Sequence, residues 1–276
     1  MSETKSSLDQ NFDVLGTRFA RNLYDAPKGR LRLQLVQQEL LAQVPGLRTE
    51  IPLRILDVGC GLGQLTTLCA SLGHMVVSTD ISAEMIAESK QRLTQELVQQ
   101  QTSVIERVQF VQAPLQDLPN LITGTFDLVI FHAVLEWLEH PQAGLQSVLP
   151  WLKADGILSL MFYNRHALVF KNLLRGHFRK IEQQQFGGEQ GGLTPQHPLD
   201  PLEVEQWLQA AGMKIDSKRG IRCFFDYMDI NMNRVTDRER QSPPFEDILR
   251  LEQHYGVIEP YRSLARYQLY HCRRAR

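Results

Sequence analysis

Four cysteines in 276 residues, none of them in a Cys-x-x-Cys pair, leave neither a zinc-binding spacing nor a disulfide framework to organise this chain. Cys60, Cys69, Cys223 and Cys272 read as reduced thiols of a cytoplasmic protein, and no metal is expected. No stretch approaches the ~18 uninterrupted apolar residues of a membrane span, so no membrane role is expected. Residues 1–10 are polar, which reads as a disordered tail and not as a signal peptide. Excess charge is missing too: 30 Lys and Arg stand against 31 Asp and Glu, a net charge of −1. That excludes nucleic-acid binding by global attraction and leaves it to a local patch. No internal repeat is found. Apolar residues make up 43% of the chain, enough for a sizeable core.

What the chain does have is one organising stretch, Leu53-Arg-Ile-Leu-Asp-Val-Gly-Cys-Gly-Leu-Gly63. A short apolar run carries Asp57 and ends in glycines at alternate positions, Gly59, Gly61 and Gly63. Apolar spacing then turns helical through Leu65, Leu68, Cys69 and Leu72. This is a strand, a tight turn and a helix start, an arrangement that lets backbone approach a ligand closely.

Around it the pattern alternates. Strands are predicted at 53–58, 75–80, 108–112, 126–132 and 156–162, with helices at 63–72, 82–101 and 141–152 between them. Such alternation predicts an α/β fold with a parallel sheet and helices on both faces. Ligands in these sheets bind beyond the carboxyl ends of the strands. A helical lead-in covers 11–46, with Leu31, Leu35, Val36, Leu40 and Leu41 on one face and Pro45-Gly46 ending it. Residues 163–200 break the rhythm and read as a cap or substrate insert. Asp200 is expected to cap a helix with Pro201 at its first position and Val204, Trp207, Leu208 and Ala211 buried. Lys214 to Asp229 reads as a strand running into a loop, followed by a helix near 245–255 and a last strand near 266–272. Beyond the tail, 11–276 reads as a single domain.

Two cofactor classes use a glycine turn after the first strand. A dinucleotide site needs Gly-x-Gly-x-x-Gly, but the third position here is Gln64. The pattern is instead Asp-x-Gly-x-Gly-x-Gly, which suits S-adenosylmethionine, a ligand with no phosphates to neutralise. Asp57 is placed to order the loop or meet an ammonium group through water. Asp80, at the end of the second strand, is placed to accept ribose hydroxyls; its alternative role is to start the next helix.

At these residues the chain resembles the class I S-adenosylmethionine-dependent methyltransferases. Asp57 to Gly63 looks like their first motif, Asp80 like their second, and Leu152 to Leu158 like their entry to strand five. The resemblance implies a Rossmann-like, seven-stranded, mostly parallel sheet whose last strand is antiparallel. It adds Cys60 within the first motif and Ile81 beside Asp80 to the cofactor set. Pro114 stands where many relatives carry an acid for the adenine amino group, so adenine falls to Leu115 and Gln116.

A closer similarity extends over nearly all of the chain beyond residue 10. Asn11 to Asp13, Arg21 to Tyr24, Lys28 to Arg32, Phe131 to Trp137, Leu158 to Asn164 and Gly220 to Tyr227 look like the bacterial tRNA 5-carboxymethoxyuridine methyltransferases. The chain differs from those relatives at Phe225 and in its Gln/Gly loop at 183–192. This resemblance adds His132 and Arg32 to the cofactor set, with Arg32 facing the methionyl carboxylate. It implies a tRNA anticodon stem-loop as partner and, as acceptor, the carboxylate of a modified wobble uridine, giving a methyl ester. A carboxylate is anionic at neutral pH, so no general base is expected. Tyr163, Asn164, Arg222 and Tyr227 are expected to position it by hydrogen bonds and stacking. Arg165, Lys171, Arg175, Arg179 and Lys180, with Arg18, Arg21 and Arg30, are expected to meet RNA phosphates. Two alternatives stay open: a methyltransferase for a small or carrier-bound carboxylate, and a non-catalytic S-adenosylmethionine-binding protein.

Overall fold

The structure, a computed structural model, describes residues 26–98, 106–187, 195, 197–232 and 244–275. Asn11 to Asp13, Arg18, Arg21 to Tyr24 and the glycine-rich end of the loop at 188–192 lie outside the described residues. Seven strands form one sheet: β1 (Arg54–Val58), β2 (Met75–Asp80), β3 (Val108–Gln112), β4 (Phe126–His132), β5 (Leu152–Tyr163), β6 (Met213–Ile221) and β7 (Tyr267–Arg274). Their order is β3-β2-β1-β4-β5-β7-β6. β1 pairs in parallel with β2 and β4, and β2 with β3, while β6 and β7 run antiparallel. The α/β sheet with an antiparallel last strand is the one the resemblance implied.

Two compact units are distinguished, one built on Pro45–Leu158 and one on Ser159–Arg276 together with the segment up to Val44. In the first, the central strands are buried on both faces: Ile55, Leu56, Leu128, Val129 and Ile130 are all inaccessible. That is why they read as continuous apolar runs and not as alternating ones. Three helices belong to this unit: α2 (Gln64–Ser71), α3 (Ala83–Val98) and α4 (Pro141–Val148). The foot of β1 is tied down by Asp127, whose carboxylate accepts from the Arg54 amide at 2.8 Å and from the Lys153 ammonium at 2.7 Å. These bonds hold the Asp127 carboxyl below the usual carboxylate range even though its partial burial pushes the other way.

The helix expected over 141–152 stops at Val148 and gives way to a 3-10 turn, Leu149–Trp151. Pro150 supplies no backbone donor to continue an α-helix. β5 accordingly starts at Leu152, earlier than the pattern suggested. Gly156 lies inside it because a Cβ there would come within 2.9 Å of the Phe126 carbonyl oxygen.

The second unit carries α1 (Pro27–Gln43), α5 (Arg165–Leu174), α6 (Phe178–Glu182), α7 (Pro201–Ala210), α8 (Phe225–Met232) and α9 (Phe245–Tyr255). α1 buries Leu31, Leu35, Val36 and Leu40, as its periodicity predicts. Its Glu39 pairs with Arg219 of β6, and Arg30 lies over the Phe245 ring of α9 at 5.0 Å. α7 is capped by Asp200, which accepts from the Leu202 amide at 2.9 Å, and buries Val204 and Leu208.

The strand expected from Lys214 ends at Ile221, and α8 follows where a loop up to Asp229 was expected. The cause lies on another helix. The fully buried carboxylate of Glu252, in α9, accepts from the backbone amides of Cys223 at 2.6 Å, Phe224 at 3.1 Å and Phe225 at 2.9 Å. Those are the orphan donors of a helix start, satisfied from a distance. Glu252→Ala is expected to lower unfolding free energy by about 3 kcal/mol, since one buried and two partly buried donors lose their acceptor. Glu252→Gln keeps one acceptor oxygen and should lose less. Urea denaturation of both variants checks this; equal midpoints for the wild type and Glu252→Ala would contradict it.

Candidate active site

In the first unit, the expected cofactor residues lie along the carboxyl ends of four adjacent parallel strands. The turn after β1 places Gly59, Gly61 and Gly63 at φ 70°, 54° and 72°. All three are in the left-handed region, where any side chain is disfavoured. At Gly63, the residue preceding α2, a Cβ would also fall 1.9 Å from the Ser89 hydroxyl of α3. Close helix packing therefore needs that glycine as much as the turn does.

Asp80 ends β2 and reaches back to the turn. One carboxylate oxygen accepts from the Gly61 amide at 2.9 Å and the other from the Ser82 amide at 3.0 Å. The helix-start role weighed for it is visible in the Ser82 bond, which begins the approach to α3. The Cys60 amide bonds the Thr79 carbonyl at 2.8 Å, lashing the turn to β2 directly. The Ile81 carbonyl accepts from the Gln112 side chain at 3.1 Å. After β3, Pro114 precedes a 3-10 turn, Leu115–Asn120, in which Leu115 is half-buried and Gln116 exposed. His132 closes β4, half-buried, and Ala133 after it has φ 56°.

Asp57 sits under the turn and is almost fully buried. It accepts from the Thr66 hydroxyl at 2.7 Å, and that hydroxyl lies 2.9 Å from Ser78 Oγ. Burial pushes its carboxyl up to about 6; the Thr66 hydrogen bond opposes this and the Asp80 charge adds to it. The groups gathered here are two carboxylates and glycine backbone, and the cation that reaches the turn, Arg92, is engaged with the Leu62 carbonyl at 3.0 Å. That chemistry fits a cationic, diol-bearing ligand such as S-adenosylmethionine.

The second unit holds Arg32 and the residues expected to position the acceptor. Asn164 is fully buried and its side chain is engaged: it caps α5 by accepting from the His166 amide, and it donates to the carbonyls of Ser263 and Ala265, each at 2.8 Å. Tyr227 donates to the Leu264 carbonyl at 2.7 Å and packs edge-on against Phe170. Arg222, at φ 63° and side-chain exposure 5%, donates through Nε and Nη2 to Asp226, at 3.0 and 2.6 Å. Tyr163 is buried, edge-on to Tyr267. The guanidinium groups of Arg32 and Arg222 each lie 5.6 Å from the Tyr267 ring centre. Arg266, which sequence reasoning passed over, stacks on Tyr163 at 4.4 Å. Its only signal was its place at the entry to the last strand, beside an aromatic residue.

No helix among the described residues is long and apolar enough to cross a membrane, and no group of three His, Cys, Asp or Glu among them is placed to hold a metal ion.

Residues 56–160 match the family model described as a methyltransferase domain. Among solved structures, the magnesium protoporphyrin IX methyltransferase of Synechocystis PCC 6803, solved with bound SAH, superposes with a TM-score of 0.61 at 18% identity, covering 96% of each chain. The strand order and this likeness define the fold of a class I S-adenosylmethionine-dependent methyltransferase. The ubiquinone biosynthesis O-methyltransferase of Xanthomonas axonopodis pv. citri is 28% identical over 79% of this chain and 84% of its own. The tRNA 5-carboxymethoxyuridine methyltransferase of Escherichia coli K12 is 36% identical over 259 residues, 94% of each chain. The chain belongs to the tRNA 5-carboxymethoxyuridine methyltransferase family.

The buried Asp57 yields a pH test. Its folded-state value, about 6, stands above the ordinary aspartate value of 3.8. The unfolded state ionises first, so stability falls as pH rises from about 4 through about 6, by about 3 kcal/mol in total. Asp57→Asn should therefore melt like the wild type near pH 4 and progressively above it as pH rises to about 6, the gap then staying level, with ligand-free protein. A difference in melting temperature that does not change with pH would contradict this.

Proposed function

We propose that this protein transfers the methyl group of S-adenosylmethionine to the carboxylate of 5-carboxymethoxyuridine at the tRNA wobble position, forming the methyl ester. The observation that carries the proposal is the 36% identity, over 94% of both chains, to an Escherichia coli enzyme of that name. A match of such length reaches well past the cofactor-binding half, which many methyltransferases share. Substrate on tRNA places the work in the cytoplasm.

When bound, S-adenosylmethionine supplies a methyl group activated by the sulfonium charge. Asp80 accepts the ribose hydroxyls with the lone pairs its backbone contacts leave. Asp57, through Thr66 and the glycine turn, orders the loop against the amino-acid end, and Arg32 pairs with the methionyl carboxylate. Gly59, Cys60, Gly61 and Gly63 offer backbone to the methionyl portion, Ile81 flanks the ribose, His132 borders the donor, and Leu115 and Gln116 meet the adenine through their backbone. No side chain has to remove a proton, because a carboxylate acceptor with a pKa near ~4 is already ionised at neutral pH. Catalysis is then alignment of donor and acceptor and exclusion of water.

Tyr163, Asn164, Arg222 and Tyr227 shape the acceptor side. Asn164 and Tyr227 do so by fixing backbone, and the buried Tyr163 and Arg222 supply an aromatic ring and a cation beneath it. The exposed cations Arg175, Arg179 and Lys180 lie on or beside α5 and α6, together with Phe178, 59% exposed. Cations interleaved with an aromatic suit an RNA backbone and a splayed base. Arg165 is less available, being paired with Asp200 at 2.5 Å. A stem-loop presents few phosphates, so one basic face suffices for a chain of net charge −1.

Labelled methyl transfer tests the reading. An anticodon stem-loop bearing 5-carboxymethoxyuridine is expected to take up label from S-adenosylmethionine, with tRNA affinity falling steeply as salt rises. The same stem-loop with unmodified uridine should take up none. Equal labelling of both, or labelling of free small-molecule acids instead, would overturn the proposal.

A further inference from the structure

The second unit holds a cluster of cations that its own carboxylates do not neutralise. Lys171, Arg222 and Arg266 surround one acid, Asp226, and Arg222 already donates to it twice. Burial, reinforced by the Arg266 charge, holds the Lys171 ammonium below the usual lysine range. Arg266 is the exceptional member. Its Nε and Nη1 are sealed from solvent and meet no hydrogen-bond partner among the described residues. The Tyr163 hydroxyl, on the ring that Arg266 covers, is equally sealed and equally without a partner. Buried donors of this kind are costly and are almost always satisfied in a finished structure. A buried guanidinium that shares its one nearby carboxylate, Asp226, with two other cations is costlier still.

The surrounding backbone is built to keep Arg266 there. Its amide donates to the Arg222 carbonyl and its carbonyl accepts from the Asn164 amide, both at 3.0 Å. Asn164 also holds the carbonyls of Ser263 and Ala265 with its side chain. Arg222 itself stays in the left-handed region at φ 63°, a conformation that a non-glycine residue keeps only when its surroundings enforce it. Held donors that lack an acceptor describe a site whose last component arrives as ligand.

We propose that Arg266, together with the Tyr163 hydroxyl and Lys171, is the binding site for the carboxylate of the methyl acceptor. This rests on the reaction proposed above and assigns the group that recognises its substrate. A carboxylate supplies two acceptor oxygens and one negative charge, matching the open N–H groups, the open O–H and the surplus cation. Arg222 takes a supporting place in this scheme: its pair with Asp226 orients the cluster and leaves Arg266 to the ligand.

The test measures equilibrium binding of two anticodon stem-loops, one with 5-carboxymethoxyuridine and one with 5-methoxyuridine, to the full-length wild type, Arg266→Gln and Arg266→Lys, with S-adenosylhomocysteine present. Arg266→Gln is expected to weaken the carboxylated RNA by at least about tenfold and the methoxy RNA by less than about twofold, with Arg266→Lys between. Because the unbonded Arg266 Nε and Nη1 strand no hydrogen-bond acceptor, and Asp226 keeps its two bonds from Arg222, the ligand-free melting temperature of Arg266→Gln should equal or exceed that of the wild type. Equal weakening of both RNAs would identify a phosphate contact and overturn the proposal. So would loss of S-adenosylmethionine affinity, which would identify the methionyl carboxylate as the ligand. A fall in melting temperature would mark Arg266 as structural, and unchanged affinity would remove it from the site. If the wild type itself fails to prefer the carboxylated RNA, the reaction proposed above falls and takes this assignment with it.

Discussion

The Asp80 carboxylate holds the donor side of this protein in shape. Three alternate glycines with left-handed backbone cannot choose one conformation unaided, since glycine samples many at little cost. Asp80 supplies the choice: it binds the Gly61 amide from the end of the neighbouring strand and, with its other oxygen, the amide of Ser82 that leads into the next helix. The turn after β1, the end of β2 and the entry to α3 are thereby one hydrogen-bonded object. A ligand meeting the remaining lone pairs of that carboxylate meets a group already oriented by the fold, which is the economy of preorganised sites. The same bonds set the charge pattern. Two acids close together, Asp57 and Asp80, make an environment that favours a cationic guest and raises the Asp57 carboxyl.

The second unit has the opposite sign. There cations outnumber acids around Tyr163 and Tyr267, and the fold spends long-range contacts to keep them in place. Glu252 caps the backbone after Arg222 from α9, and Asn164 grips the backbone just before Arg266. An acidic site for a sulfonium donor and a cationic site for a carboxylate acceptor are complementary requirements of carboxyl methylation. Under the proposed function, each requirement falls to local geometry of its own.

The two halves of the site differ in how legible they were in the sequence. The strand, glycine turn and helix at 54–71, and the acid at position 80, follow from periodicity and spacing within about 30 residues, the range over which local patterns speak. Arg266 could not be found that way. Its importance comes from the absence of a partner, and partners are set by packing. Asn164 and Tyr227 were expected to face the acceptor, but Asn164 bonds carbonyls 99 and 101 residues away and Tyr227 one 37 residues away. The loop expected after the strand from Lys214 gave way to α8 for the same reason, because the acceptor at its entry, Glu252, lies 27 to 29 residues downstream. Helix α1 was the intermediate case: its buried face was plain from Leu31, Leu35, Val36 and Leu40, while its pairing with β6 through Glu39 and Arg219 was not.

The acceptor identity is the claim on which the rest turns, and cells report it directly. Nucleoside mass spectrometry of bulk tRNA from a strain lacking this protein should show the methyl ester of 5-carboxymethoxyuridine gone and the free acid accumulated in its place. An unchanged level of the methyl ester would contradict the account.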